Sequence, residues 1–187
     1  MIPIKNRKKN LEATVEEMQN FAFVYIEKYA PSKQQLRTYL LKKYLKTRIP
    51  NVNKKNITDL IDVVLEDLEK TKFINDKFYS SSKAKSLIQR GNSINKIRNY
   101  LLSKGVKHKY INETITNIKE NNEDQDFFSA IKICKKKRIG PAREENNRSL
   151  FMKKDLGILA RSGFDFETSR RVIDIDKDEY LKIINLL

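Results

Sequence analysis

Glycine closes one short segment after another in this chain, and this arrangement limits its fold more than any other feature. Four of the five glycines, Gly91, Gly105, Gly140 and Gly163, come just after segments whose apolar residues recur at three- and four-residue steps. Such steps indicate amphipathic helices, and glycine readily adopts the left-handed conformation that ends a helix. The sequence therefore predicts an all-α fold.

The N-terminal part predicts three successive helices with no strand pattern between them. Residues 14–17 (T-x-x-E) and 32–35 (S-x-x-Q) have the spacing of capping boxes, in which side chains satisfy free N–H groups at a helix start. A loop containing Pro50 separates the second helix from the third. The apolar residues that recur on one face of each helix are Val15, Met18, Ala22, Tyr25 and Tyr29, then Leu36, Leu40 and Tyr44, then Ile57, Ile61, Val64, Leu65 and Leu68.

The same plan recurs in the centre of the chain and, more weakly, after it. Asn75 or Asp76 begins a helix that ends at Gly91, and Ser93 begins a second that ends at Gly105. The third helix of this copy carries Ile111, Ile115 and Ile118. A weaker copy starts near Asp126, has a predicted loop at 142–149, and places Asp155 where the central copy has Ile97.

These copies predict a basic leader at 1–13, three helical repeats at 14–71, 72–122 and 123–175, and a tail at 176–187 that is either irregular or helical. A three-helix unit of about 50 residues buries too little surface to be stable alone. We therefore expect three tandem three-helix repeats stacked into an elongated, curved rod that winds to the right or to the left.

Basic residues dominate the charge, with 39 Lys and Arg against 24 Asp and Glu and a net charge of +15. This excess predicts attraction to nucleic acid, anionic lipid or an acidic protein surface, although a general effect on solubility is the alternative. No run of about 18 apolar residues predicts a membrane span, and the N-terminus lacks the apolar part of a signal peptide. We expect a cytoplasmic protein with no membrane contact.

The residues that usually carry catalysis are few. The chain has one histidine, His108, and one cysteine, Cys134, and it lacks phosphate-binding glycine loops. We expect Cys134 to fill the core, and Asp76 and Asp126 to cap the helices that they begin. Tyr79 is either a core residue or a platform for a base. The sequence therefore predicts no enzyme, no cofactor and no metal site.

The basic residues are the best candidates for function. Between residues 125 and 161 there are ten basic and four acidic residues, and Lys132 and Lys136 fall opposite the apolar stripe of Phe127, Ile131 and Cys134. A merely solvated face is the alternative. The candidate binding residues are Lys96, Lys104, Lys107, Lys132, Lys135, Lys136, Arg148, Lys153, Lys154 and Arg161.

Four stretches resemble the RecX family, the regulators of the bacterial recombinase RecA. They are PSKQQLRTYL at 31–40, VVLEDLEKTKFINDKFY at 63–79, RGNSINKIRNYLLSKGV at 90–106 and LARSGFDFETSRRVI at 159–173. The chain departs from the family pattern at Gln35, at Tyr44, at Asp155 and in an extended first loop. The central stretch, with its spacing from Tyr79 to Gly91 and Gly105, is the most specific part.

The resemblance implies a monomeric, non-enzymatic protein that binds RecA and the RecA–DNA filament and mostly inhibits recombinase and coprotease activity. It places the chain in DNA repair, DNA recombination and the SOS response. The candidate basic residues would then contact the filament, and single-stranded or double-stranded DNA is a further partner that they could contact directly. The alternative is a DNA- or RNA-binding helical repeat protein that acts independently of RecA.

Overall fold

The computed structural model describes residues 11–46 and 53–187, and this part of the chain is all-helical, which confirms the predicted fold class. The predicted loop around Pro50 and most of the basic leader lie outside the described residues. The helices are α1 (Val15–Tyr29), α2 (Lys33–Leu45), α3 (Lys54–Lys70), α4 (Asp76–Gln89), α5 (Ile94–Ser103), α6 (His108–Asn121), α7 (Gln125–Lys137), α8 (Glu145–Arg161), α9 (Phe166–Asp174) and α10 (Lys177–Leu186).

The chain divides into two compact units, the first ending at Asp76 and the second spanning Lys77–Leu187. The buried apolar residues form three clusters, one on α1–α3 and the residues just after α3, one on α4–α6, and one on α7–α10. The predicted repeat boundaries at 71, 122 and 175 stay predictions.

The first unit is built around most of the residues that the periodicity places inside, but Tyr29 at the end of the α1 stripe is 53% exposed. Leu36, Leu40 and Tyr44 of α2 have no exposed surface, and the predicted stripe of α3 is buried as well. Ser32 begins α2 with a complete capping box, since its Oγ accepts from the Gln35 N–H at 3.2 Å and its own N–H donates to Gln35 Oε1 at 3.1 Å. Here local sequence and packing agree, and the prediction is confirmed.

The second unit contains the other two clusters. Ile97, Leu101 and Ile111 are fully buried in the cluster on α4–α6, and Ile131 and Cys134 are fully buried in the cluster on α7–α10. Burial raises the pKa of the Cys134 thiol to about 12, so at neutral pH the thiol stays protonated and behaves as an apolar core group, as predicted.

All four glycines that follow helices have positive φ, as predicted. Gly163 (φ +91°) shows why the chain needs glycine at the α8–α9 turn. A Cβ at this position would collide with Ser93 Oγ, which accepts the Lys96 N–H at 3.2 Å and donates to the Ser162 carbonyl at 3.0 Å. Gly163 therefore permits both the turn and the close approach of α5.

The structure corrects the predicted loop at 142–149. A short 3₁₀ turn spans Gly140–Ala142, and α8 already begins at Glu145, so residues 145–149 are helical. The polar residues there suggested a loop, but one of them, Arg148, bonds to distant backbone carbonyls and supports the first turns of the helix.

The predicted capping roles of Asp76 and Asp126 extend beyond the helices that they begin. Each lies in the first turn of its own helix, but its carboxylate accepts a hydrogen bond from a different helix. Asp76 accepts from the Lys33 N–H at the start of α2, and Asp126 accepts from the Ile94 N–H at the start of α5, both at 2.8 Å. Capping is therefore the correct chemistry, and each carboxylate caps a helix that lies elsewhere in the chain.

Candidate nucleic-acid interface

Helix α7 presents lysines on the side opposite its core-facing stripe. Phe127, Ala130, Ile131 and Cys134 are buried. At 100° per residue, positions 132 and 136 lie opposite this stripe and position 135 lies at its flank. Accordingly, the lysines at 135 and 136 are exposed and the lysine at 132 is half-buried.

Lys132, Lys135 and Lys136 line one open groove of about 350 Å³. Its other walls come from the end of α4 and from α10, which packs against α7. We call it the lysine groove, and its lining residues are Gln89, Lys132, Lys135, Lys136, Ile184 and Leu187. Three of the ten candidate residues thus come together, beside a polar amide and two aliphatic side chains that the sequence did not indicate.

The C-terminal helix is held in place by its own caps and core contacts. Asp176 accepts the Glu179 N–H at 2.8 Å, which satisfies a donor at the start of α10. Tyr180 is buried in the cluster on α7–α10, and burial raises the pKa of its hydroxyl. The tail is therefore a docked helix, and this positions Ile184 and Leu187 at the groove.

Helix α8 carries a second group of candidates. Lys153, Lys154 and Arg161 are exposed. The Lys154 ammonium lies 5.7 Å from the ring centroid of Phe151, and the Arg143 guanidinium lies 4.5 Å from the same centroid. Such cation–π contacts hold basic groups over an aromatic face.

The remaining lysines lie on or next to α5. Lys104 and Lys107 flank the turn at Gly105, with the Lys104 ammonium 5.2 Å from the ring centroid of Tyr100. Lys96 is exposed and lies next to Gly163 at the α8–α9 turn. None of these three lines the lysine groove.

Arg148 faces the protein interior, in contrast with the other candidates. Its side chain is only 15% exposed, and it binds Glu145 at 3.0 Å. Its Nη2 also donates to the carbonyls of Ile173, at 2.8 Å, and of Ile175. Arg148 therefore satisfies carbonyl groups at the end of α9 and is not part of an exposed cationic face.

A buried ion pair next to this region was missed by the sequence reasoning. Asp155 has no exposed surface, and its carboxylate accepts two bonds from Arg143, at 2.7 and 2.9 Å, and one from the Gly140 N–H at 2.8 Å. Burial alone would raise the pKa of Asp155, but these hydrogen bonds and the nearby cations lower it. The departure of Asp155 from the apolar pattern was the available signal.

The exposed basic side chains of α5, α7 and α8 suit contact with anions along an open surface. Within residues 11–46 and 53–187, no three His, Cys, Asp or Glu side chains are grouped so as to hold a metal ion. His108 is exposed at the start of α6. In the same described part, no helix has the length and apolar character needed to span a bilayer.

Comparison with known proteins gives two matches. No model of a known protein family matches the chain. The "Regulatory protein RecX" of Myxococcus xanthus (strain DK1622) is 29% identical over 160 residues, which cover 84% of each protein. A solved structure, "Crystal structure of regulatory protein RecX", matches with a TM-score of 0.59 and 19% identity over 86% of this chain and 74% of that chain.

The two matches agree with the resemblance in the sequence. The solved structure supports the helical fold, and the Myxococcus protein is similar along most of both chains. The buried positions of Leu36 and Leu40 and of Ile97 and Leu101 lie within the stretches that carry the resemblance. In sequence and in fold, the chain is therefore similar to proteins described as regulatory protein RecX.

Proposed function

We propose that this protein regulates the recombinase RecA by binding RecA and the RecA–DNA filament, without catalysing a reaction itself. The observation that carries the proposal is the lysine groove, in which three cations of α7 share one open surface on a chain similar to a regulatory protein RecX. Cationic side chains attract DNA phosphates without reading sequence, as a protein that acts anywhere on a filament requires.

The internal organisation of the chain supports contact with more than one RecA protomer. Three apolar clusters follow one another along the chain, each on successive helices. The paired caps, Asp76 on Lys33 and Asp126 on Ile94, are further similarities between segments. We infer three tandem three-helix repeats, which would offer similar surfaces to neighbouring protomers in a filament.

Occupation of the filament surface would inhibit both recombinase and coprotease activity, because other substrates of the filament would lose access to it. This mechanism requires only binding and no covalent step. It also implies that the protein acts in the cytoplasm, as part of DNA repair, recombination and the SOS response.

The test measures the DNA-dependent ATPase, strand exchange and coprotease activity of the matching RecA with this protein added. We expect inhibition that Lys132→Glu, Lys135→Glu and Lys136→Glu together weaken strongly. A matched control, Lys54→Glu, Lys55→Glu and Lys70→Glu, makes the same change of charge at exposed positions of α3.

Two results would contradict RecA regulation, and a third would contradict the role of the lysine groove. If the protein had no effect on RecA at any ratio up to equimolar, RecA regulation would be excluded. If it bound DNA or RNA tightly without RecA and had no effect on RecA activity, the alternative of an independent nucleic-acid-binding protein would be favoured. Equal inhibition by the lysine variant and the wild type would remove the lysine groove from the interface.

A further inference from the structure

A second groove lies between α4 and α6 and shares Gln89 with the lysine groove. Its volume is about 430 Å³, within the range of roughly 300 to 1,000 Å³ that is typical of small-molecule sites. Apolar side chains of Ala84, Ile88 and Ile118 contribute to its lining. Because Gln89 lines both grooves, the two are adjacent parts of one surface in the second unit.

Carboxamide side chains form most of the polar part of this second groove, which we call the amide groove, and Ser81, Lys85 and Thr114 form the rest. The amides belong to Gln89, Asn117, Asn121, Asn122 and Gln125. A carboxamide has both donors and an acceptor, and so it can pair with the edge of a nucleobase. The groove therefore combines an apolar surface for the face of a base with amides for its edge.

Hydrogen bonds hold three of these amides in place. Gln125 is 9% exposed, and its Nε2 donates to Ser129 Oγ at 3.0 Å. Asn122 Oδ1 accepts the Asp124 N–H at 3.1 Å, and Asn121 Nδ2 donates to the Asn117 carbonyl at 2.7 Å. Side chains already ordered in this way lose less conformational entropy when a ligand binds.

The two grooves are separated by a distance that suits a short strand. Gln125 lies in the amide groove and Lys132 in the lysine groove, seven residues later on α7. With a rise of about 1.5 Å per residue the separation along the helix is about 10 Å. A stacked strand rises about 3.4 Å per nucleotide and an unstacked strand extends further, so at most about three nucleotides cover this distance.

We propose that the amide groove and the lysine groove form one binding site for single-stranded nucleic acid. One unstacked base lies on the apolar surface of the amide groove with its edge against the carboxamides, and neighbouring phosphates bind Lys132, Lys135 and Lys136. The strand must be single, because a base in a duplex has its faces stacked and its pairing edge occupied. This inference rests on the proposed function for the use of the lysine groove, and it adds a requirement for the base.

The experiment measures binding of the full chain, without RecA, to two fluorescent DNA strands by anisotropy. One is a 12-nucleotide oligothymidylate, and the other is an abasic strand with the same number of phosphates. We expect the wild type to bind the strand with bases about tenfold more tightly, which is the effect of one seated base. Equal affinity for the two strands would overturn the proposal.

Variants separate the two halves of the site. Asn117→Ala with Asn121→Ala, both at exposed positions of a helix that tolerates alanine, should remove the preference for bases and leave binding of the abasic strand unchanged. The triple variant with Lys132→Gln, Lys135→Gln and Lys136→Gln should bind both strands more weakly than the wild type, by the same factor. The matched control, Asn20→Ala with Asn56→Ala on exposed surface of the first unit, should change neither affinity. Retention of the preference in the asparagine variant would exclude the amide groove.

A competition experiment shows whether the site binds a nucleic-acid strand or free nucleotides. Trithymidylate should displace the labelled strand at far lower concentration than thymidine monophosphate, because only the trinucleotide reaches both grooves. Equal competition by the two would overturn the strand model and assign the groove to free nucleotides. Since no recombinase is present, these results do not depend on whether the protein inhibits RecA.

Discussion

The Asp126 carboxylate accepts a hydrogen bond from the backbone N–H of Ile94, with 2.8 Å between the two atoms. Asp126 lies in the first turn of α7, and Ile94 is the first residue of α5. The bond therefore joins the start of one helix to the start of another across 32 residues of sequence. Asp76 and Lys33 have the same relationship within the first unit.

Removal of the Asp126 acceptor should destabilise the second unit. We expect Asp126→Ala to lower the free energy of unfolding by about 1 to 2 kcal/mol, since it leaves a free N–H at the start of α5. Asp126→Asn keeps an oxygen that can accept from Ile94 and should cost less than half as much. Urea unfolding at pH 7, followed by circular dichroism, measures both. Equal losses for the two variants would show that the hydrogen bond is not the cause.

The pH dependence of stability gives a second test of this residue. Burial raises the pKa of Asp126, and the bond from Ile94 offsets only part of that rise. A carboxyl with a raised pKa in the folded state favours folding below its unfolded pKa of about 4, and this contribution is lost as the pH rises through the folded value. Asp126→Asn should therefore flatten the stability profile above pH 4. An unchanged profile would contradict this assignment.

The ion pair between Arg143 and Asp155 predicts a larger loss of stability. Arg143→Ala leaves the Asp155 carboxylate buried without its cation, and the expected cost is about 3 kcal/mol. The pKa of Asp155 is lowered in the folded state, so the pair stabilises the fold above about pH 4 and this stabilisation is lost as the pH falls through the lowered value. The variant should therefore lose less stability on acidification than the wild type. If acidification destabilised the variant and the wild type equally, stabilisation by this ion pair would be excluded.

The sequence predicts those parts of the fold that local chemistry determines. Ser32 and Ser93 cap helices through bonds to residues only three positions away, so the starts of α2 and α5 were correctly predicted. The start of α8 was missed, because Arg148 there bonds to the carbonyl of Ile173, 25 residues later. Bonds at such separations depend on the tertiary fold and leave no local pattern in the sequence.

The candidate site likewise has one part that local sequence predicts and another that depends on the tertiary fold. The outward direction of the lysines on α7 follows from helical periodicity. The other walls of the lysine groove come from Gln89 and Ile184, which are far from α7 in sequence and meet it only in the folded chain. The inward position of Arg148 could not be predicted either, because the local sequence is the same whether the arginine side chain is exposed or buried.

Substitution by alanine should have opposite effects on stability at Gly157, inside α8, and at Gly163, in the turn that follows. Gly163 has φ of +91°, and a Cβ there would collide with Ser93 Oγ, so Gly163→Ala should cost about 2 kcal/mol or more. Gly157 lies inside α8, and its nearest obstacle would be the end of the flexible Arg161 side chain at 3.4 Å. Gly157→Ala should therefore stabilise the chain by about 0.5 to 1 kcal/mol. Thermal unfolding compares the two, and destabilisation by both would contradict the argument.

The lysine groove should give a measurable salt dependence to DNA binding. Each phosphate neutralised on a single strand contributes about 0.7 to the slope of log affinity against log salt concentration. If Lys132, Lys135 and Lys136 each neutralise one phosphate, Lys→Glu changes at all three should reduce the magnitude of the slope by about 2.

The control for this prediction must carry the same net charge. Lys54→Glu, Lys55→Glu and Lys70→Glu provide it, and we expect this variant to keep the wild-type slope, because its lysines lie on α3 and do not line the groove. Both variants should keep the wild-type helicity, and since each places Glu in the last turn of a helix, α7 or α3, any small loss of stability is shared by the control. If the two variants changed the slope equally, net charge alone would account for DNA attraction, and the groove would have no special role in it.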